Sequence, residues 1–536
     1  MLECDYLVIG TGASGMAFLD AIVSHSPERT VVAIDKFSQP GGHWNHAYDF
    51  VRLHQPARYY GVASEKLERD GETAGFRNED LSTKREILDY YRLVMDKLVK
   101  TGRVVHCGEC TYQHDDWDAN NTSGNDDDND NNHNTAIPIR TFVDKDGMSH
   151  TVRVKRRVVD ATYLKIQVPS INPPRYSVDP SVECVPVNDI HTVPDTKRKF
   201  VVVGAGKTGI DAILHLLDQG VDPSRIAWVM PRDPWLVDRA FFDPQTMILR
   251  WGIFFTEEAS HRESLLLQER EGMLLRLDEN VWPTKYNCAT IHKEELHKLR
   301  SIRNVIRGRG RVSSVTKTHL VMTGSDVDGK HRPEAVPYEP GALIVDCSSN
   351  GLTPRRPEVP IFSKRKITIQ SILYCVTCLS ADLVGYVECH EGFDNDEDRN
   401  RLLRPVPFPD SNTSVVRTEL LTFRNMLDGF GMDPRTKDYF EKCRLNINAH
   451  ASKTTLVRAL AGEMYRDFSK VPASMEAKKR YYKEGYGGGT TEFEFRIYSD
   501  PFFNTLSTLR RVSLVVRAVI LGAPVAVFLG FRFLSS

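Results

Sequence analysis

The sequence predicts an α/β protein built on two parallel sheets. Two observations carry this expectation. A short β-branched run passes into a G-x-G-x-x-G loop and then into a helical pattern, and this happens twice. Each of those helices leads on to another apolar run, as a strand–helix–strand unit requires.

In the first unit, Asp5-Tyr6-Leu7-Val8-Ile9 runs into Gly10-Thr11-Gly12-Ala13-Ser14-Gly15. Met16, Ala17, Leu19, Ala21, Ile22 and Val23 then recur at helical spacing, and Val31-Val32-Ala33-Ile34-Asp35 forms the second strand. Arg85–Lys100 has helical periodicity, and Val104–Tyr112 reads as one strand. Residues 115–134 are nearly all Asp and Asn and have no apolar surface to bury, so they read as a disordered insert. Ile137–Val143 and Val152–Val159 resume the strands.

In the second unit, Lys199-Phe200-Val201-Val202-Val203 runs into Gly204-Ala205-Gly206-Lys207-Thr208-Gly209. Ile210, Ala212, Ile213, Leu216 and Leu217 mark its helix, and Ile226–Met230 its second strand. Residues 245–310 are rich in Leu, Glu and Arg and read as helical; Ala342–Asp346 is a buried strand; residues 405–475 are again helix-like. Tyr486-Gly487-Gly488-Gly489 breaks the pattern before the tail.

Composition narrows the class. A chain of 536 residues exceeds one ordinary domain, and 41% hydrophobic with 26% charged residues is globular rather than disordered or fibrous. Lys and Arg total 70 against 71 for Asp and Glu, so bulk charge does not recommend a nucleic-acid partner. The start, Met1-Leu2-Glu3-Cys4-Asp5, enters a strand at once, so no secretory signal and reduced thiols facing the cytosol are expected for the ten cysteines.

The glycine loops specify chemistry. Gly10 and Gly204 stand where a tight turn after a strand needs no Cβ. Gly12 and Gly206 let backbone N–H groups and the helix N-terminus approach a pyrophosphate, with Ser14, Lys207 and Thr208 beside them. Gly15 and Gly209 permit close helix–strand packing. Asp35, followed by Lys36, ends the first unit's second strand about 20 residues past Gly15, where a carboxylate accepts from ribose hydroxyls, as in FAD or NAD. The equivalent strand ends Met230-Pro231-Arg232, and an arginine there suits the 2′-phosphate of NADPH; otherwise it is a solvated loop residue.

With Gly41-Gly42-His43-Trp44 after the first acidic strand end, this pattern resembles the flavin-containing monooxygenase-like FAD/NAD(P) oxidoreductases, over roughly residues 1–365. The resemblance implies two Rossmann-like three-layer domains, the NAD(P) domain inserted in the FAD domain, plus a helical C-terminal region. The expected division is 1–165 and 341–404 for FAD, 197–340 for NADP, 405–490 for a helical cap and 491–536 for a hydrophobic tail. It also implies FAD contacts at Gly42, Trp44, Ala161 and Thr162, with Tyr163 where glycine is usual, and a return strand into the FAD domain at Val345-Asp346. His54 and Gln55 occupy the place where this group presents polar side chains to the flavin edge; the alternative for His54 is loop packing. The implied reaction is NADPH-driven oxygenation of a small organic substrate by O2 through a C4a-(hydro)peroxyflavin. The alternatives are a flavin reductase without oxygen insertion and a non-catalytic dinucleotide sensor. The monooxygenase fingerprint before the second glycine loop is degenerate: in the register Val185, Val187, His191 and Asp195, only His191 agrees.

The remaining signals are weaker. The C-x-x-C pairs Cys107/Cys110 and Cys375/Cys378 read as buried structural thiols, and no metal site is expected. His292, Glu294, Glu295 and His297 read as a solvated helix face. Val512–Phe531 holds one charge, Arg517, and an internal Pro524. About 20 apolar residues span a bilayer core, so membrane attachment on the cytoplasmic side, at the endoplasmic reticulum for instance, is expected, the alternative being a docked terminal helix in a cytoplasmic protein.

Overall fold

The computed structural model of the chain describes residues 1–68, 81–113, 138–164, 166–192, 198–242, 261–324, 326–327, 330–348, 358–409, 412–427, 429–431 and 433–450. The Asp/Asn insert, Asp195, the Tyr486–Gly489 break and the tail at 512–531 lie outside these residues. Among the described residues, no helix is long and apolar enough to cross a membrane.

The fold is α/β, with two parallel-stranded units. The first sheet runs Lys366–Thr368, Ser149–Asp160, Leu2–Ile9, Val31–Ile34, Val104–Cys107, with these neighbours parallel. Ile139–Asp144 pairs antiparallel with Ser149–Asp160 to extend it. The second sheet runs Asn304–Arg307, Ile226–Met230, Phe200–Val203, Leu343–Asp346, Cys184–Pro186, all parallel. The chain leaves the first sheet after Asp160, builds the second, and comes back at Phe362–Ser363 and Lys366–Thr368. The second unit is therefore an insertion in the first.

Helix Ala13–His25 is covered by Thr377–Cys389, where Gly385 allows a very close approach: a Cβ there would lie 2.7 Å from the Ala21 Cβ. Phe18, Leu19 and Ile22 are fully buried beneath it; such side chains each contribute roughly 1.5–3 kcal/mol of hydrophobic stabilisation. Helix Lys84–Lys100 begins with a Thr83/Glu86 capping box and buries Ile87, Tyr91, Val94 and Leu98. Helices Asn412–Leu427 and Lys437–Lys442 supply the expected C-terminal helical region.

Three expectations need correction. Leu343–Asp346 is not the return into the first sheet: it pairs in parallel with Phe200–Val203 in the second. All four of its residues are buried, and such a strand has no alternation from which to read its sheet. Of residues 245–310, the described part, 261–310, is not mainly helical: Lys285–Ile291 pairs with Pro234–Asp238 in a small sheet of its own. Tyr286, Thr290 and Ile291 favour that strand despite the charged surroundings. Val104–Tyr112 is broken at Gly108-Glu109, with Glu109 at φ 54°, so Cys107 and Cys110 lie on different strands.

Candidate functional site

Both glycine loops adopt the same geometry. Gly10 (φ 95°) and Gly204 (φ 134°) turn the chain out of their strands in a conformation that L side chains disfavour. A Cβ on Gly15 would lie 1.9 Å from the Gly10 carbonyl oxygen, and one on Gly209 would lie 2.1 Å from that of Gly204. Gly12 and Gly206 cap their helices without a side-chain hydrogen bond, so the first-turn N–H groups are left for another acceptor. Among the described residues, a Cβ on Gly206 meets nothing within 4 Å, and one on Gly12 meets only the backbone of Gly42, nearest at 3.4 Å. This is the open cradle that a pyrophosphate needs.

The symmetry extends to the neighbouring strands. Ile9 is in register with Asp160, and Val203 with Asp346. Asp160 Oδ1 accepts from the Thr162 N–H (2.9 Å) and hydroxyl (2.7 Å); Asp346 Oδ1 accepts from the Ser348 N–H (3.1 Å) and hydroxyl (2.6 Å). Thr162 and Ala161 pack against Gly10, as Cys347 packs against Gly204. Asp346 thus stands at the second loop, where it also accepts from the Tyr176 hydroxyl (3.1 Å).

Asp35 is buried and binds back to the first loop. Its Oδ2 accepts from the Thr11 N–H (2.5 Å) and hydroxyl (2.9 Å), and its Oδ1 accepts from the Phe37 N–H (2.9 Å). Lys36 is exposed, its ammonium 4.9 Å from the Phe37 ring centre. Gly41 donates to the Thr11 carbonyl (2.9 Å), pressing the Gly41-Gly42 turn onto the loop, and the Trp44 indole N–H donates to the Tyr60 hydroxyl (2.7 Å). Ser14 is half-buried at the first helix start.

Arg232 is half-buried and makes no hydrogen bond or ion pair with a described residue. Its neighbour Asp233 is already paired with Arg307 (2.9 Å). Lys207 pairs with Asp211, which also accepts from the Tyr48 hydroxyl (2.6 Å), and Thr208 lies beside that hydroxyl. Tyr48 therefore ties the first unit to the start of the second unit's helix.

His54 lies at this junction. Burial, then the nearby Lys207 and Arg239 charges, push its imidazole down to about 3, and burial alone pushes His43 down to about 4. Both are neutral at physiological pH, so His54 carries one N–H donor and one acceptor nitrogen. Because the unfolded chain binds the His54 proton from about pH 6.5 downward and the folded chain does not, stability is lost as pH falls below that value. Chemical denaturation at about pH 8 and about pH 5 is expected to show a smaller drop for His54→Gln than for the parent; an equal drop would refute the assignment.

Sequence reasoning missed Arg239. It is fully buried, donates to the His54 carbonyl (3.4 Å) and pairs with Glu295 (2.9 Å). Glu295 is accordingly not on a solvated face: it is buried and also accepts from the His292 N–H (2.6 Å). A long-range ion pair leaves no local signal in the sequence. Gln55 points the site onward, lining a pocket with Tyr59, Phe242 and Tyr374. Of the paired cysteines, Cys110 and Cys378 are buried, and Cys107 and Cys375 are half-buried.

No family model matches the chain. Uncharacterized proteins of Mycobacterium tuberculosis and Mycobacterium bovis are each 37% identical to it over 466 residues, 84% of this chain and 78% of theirs. Among solved structures, an oxidized steroid monooxygenase bound to NADP is similar over 91% of this chain and 99% of its own, at 12% identity and a TM-score of 0.48. A flavin-containing monooxygenase from Stenotrophomonas maltophilia matches 73% of this chain and 98% of its own, at 13% identity and a TM-score of 0.37. A bacillithiol disulfide reductase from Bacillus cereus matches 72% and 99%, at 12% identity and a TM-score of 0.39.

Proposed function

We propose a function for this chain, which belongs to the family of the uncharacterized mycobacterial proteins: it is an FAD- and NADPH-dependent, monooxygenase-like oxidoreductase acting on a small organic substrate with O2. The observation that carries this reading is the doubled cradle, two uncapped helix N-termini behind glycine turns of matching geometry. The residues present fit both cofactors. Gly10, Gly12, Gly15 and Asp35 would hold the FAD adenosine and pyrophosphate, with Gly42 and Trp44 alongside. Gly204, Gly206, Gly209 and Arg232 would hold NADPH. Bound FAD supplies hydride acceptance from NADPH and reaction with O2.

The chain's own groups position and insulate. The first-turn N–H groups of both helices donate to phosphate oxygens. Neutral His54 presents a hydrogen-bonding nitrogen without adding charge at the junction. Arg239, fixed by Glu295, holds the His54 backbone. The degenerate segment around Val185 and Val187 favours, as the second reading, a flavin reductase that inserts no oxygen.

The absorbance spectrum of purified protein under air, before and after NADPH, tests this. A yellow protein that bleaches on NADPH and passes through a further absorbing species on reoxidation is the expected result. Bleaching without that species selects the reductase, and no response to NADPH overturns both readings.

A further inference from the structure

The pocket beside Gln55 encloses about 760 Å3, its open mouth included. Tyr374 and Leu379 line it near the start of helix Thr377–Cys389, and Met426 and Ile447 line it from the C-terminal helical region. Three observations mark it as a binding site. Its wall is mostly apolar, and Glu419 is the one charged side chain among the described lining residues. Among the described residues the Tyr374 hydroxyl has no nitrogen or oxygen partner, only the Cys375 thiol beside it, although the residue is only 8% exposed. A buried hydroxyl left with so weak a partner is costly, so an acceptor from a ligand would relieve it. Finally, three described non-glycine residues have positive φ, and two of them, Cys288 (φ 53°) and Cys375 (φ 62°), line this pocket. Backbone strain of this kind collects at functional sites.

We propose that this pocket takes the organic substrate, and that the substrate is a neutral, mostly apolar molecule with a hydrogen-bond acceptor that receives the Tyr374 O–H. The assignment of the occupant as substrate rests on the oxidoreductase reading; binding itself needs neither NADPH nor turnover. An anion is disfavoured because the described lining residues include no cation to compensate its desolvation. A hydrocarbon of the same shape enters but leaves the hydroxyl without an oxygen acceptor, and so binds more weakly than an acceptor-bearing analogue.

Calorimetric titration of the full chain with acetophenone, ethylbenzene and benzoate tests the proposal. Acetophenone is expected to bind more tightly than ethylbenzene, and benzoate to give no heat. Tyr374→Phe should weaken acetophenone about tenfold and leave ethylbenzene within about twofold. Ile447→Trp, which fills the pocket, should abolish acetophenone binding, with flavin content and thermal midpoint reporting that the fold is retained. Equal losses for both neutral probes in Tyr374→Phe would overturn the proposal. So would benzoate binding as tightly as acetophenone, no acetophenone heat from folded protein, or undiminished binding in folded Ile447→Trp. The spectral test with NADPH is separate. If acetophenone binds in this pattern and NADPH leaves the spectrum unchanged, the ligand class stands and the oxidoreductase reading falls. If NADPH bleaches the protein and acetophenone gives no heat, the reverse holds.

Discussion

Protein carrying Gly12→Val is expected to come through purification without flavin. The backbone at Gly12 (φ −75°, ψ −172°) suits any residue, so strain is not the cause. The new Cβ would rest against Gly42 at an ordinary 3.4 Å, and the two γ-methyl groups would crowd the space in front of the uncapped helix. Each charge-assisted hydrogen bond from a helix N–H to a phosphate contributes about 1.5–3 kcal/mol, so losing even one weakens FAD roughly ten- to a hundredfold. The flavin-to-protein ratio after gel filtration measures this, with the thermal midpoint of the flavin-free parent as reference. Gly15→Ala is the contrasting variant. Its Cβ would sit 1.9 Å from the Gly10 carbonyl oxygen, so it should lower stability as well as flavin content. A Gly12→Val protein with a full complement of flavin would remove the first loop from the FAD site.

Arg232→Ala is expected to raise the KM for NADPH by roughly ten- to a hundredfold and leave that for NADH nearly unchanged. The reasoning is one of spare charge. Among the described residues nothing engages the Arg232 guanidinium, while the adjacent Asp233 is neutralised by Arg307 and will not repel a phosphate. Flavin reduction rates against the concentration of each nicotinamide cofactor give the ratio directly. An equal effect on both would place Arg232 away from the 2′-phosphate.

The glycine loops were legible because a missing Cβ and a positive φ are written in the residue type itself. Gly10, Gly15, Gly204 and Gly209 all stand where a side chain would strike backbone or a tightly packed neighbour. Helix Lys84–Lys100 was legible for a similar local reason, its apolar stripe and the Thr83 cap. What escaped was set by partners distant in sequence. Leu343–Asp346 carries no mark of which sheet it joins, and its register with Val203 decides it. Glu295 looks solvated until Arg239, 56 residues earlier, is brought to it. Tyr374 and Cys375 lie in an apolar run that reads as core, and no residue-level rule anticipates a cysteine at φ 62°.

The interrupted first sheet also fixes an order of events during synthesis. The ribosome delivers Leu2–Asp160 first, but the parallel partner at Lys366–Thr368 and the covering helix Thr377–Cys389 emerge only after every strand of the second sheet. The inserted unit can therefore close while the amino-terminal unit still shows the bare face of helix Ala13–His25, where Gly385 must later dock. Long-range closures of this kind are slow and leave apolar surface open to aggregation and to chaperones. Nascent chains stalled where Asp346 has cleared the ribosomal exit tunnel and Lys366 has not are expected to protect the later-made unit from protease before the earlier-made one, an inversion of the usual amino-to-carboxyl sequence of maturation.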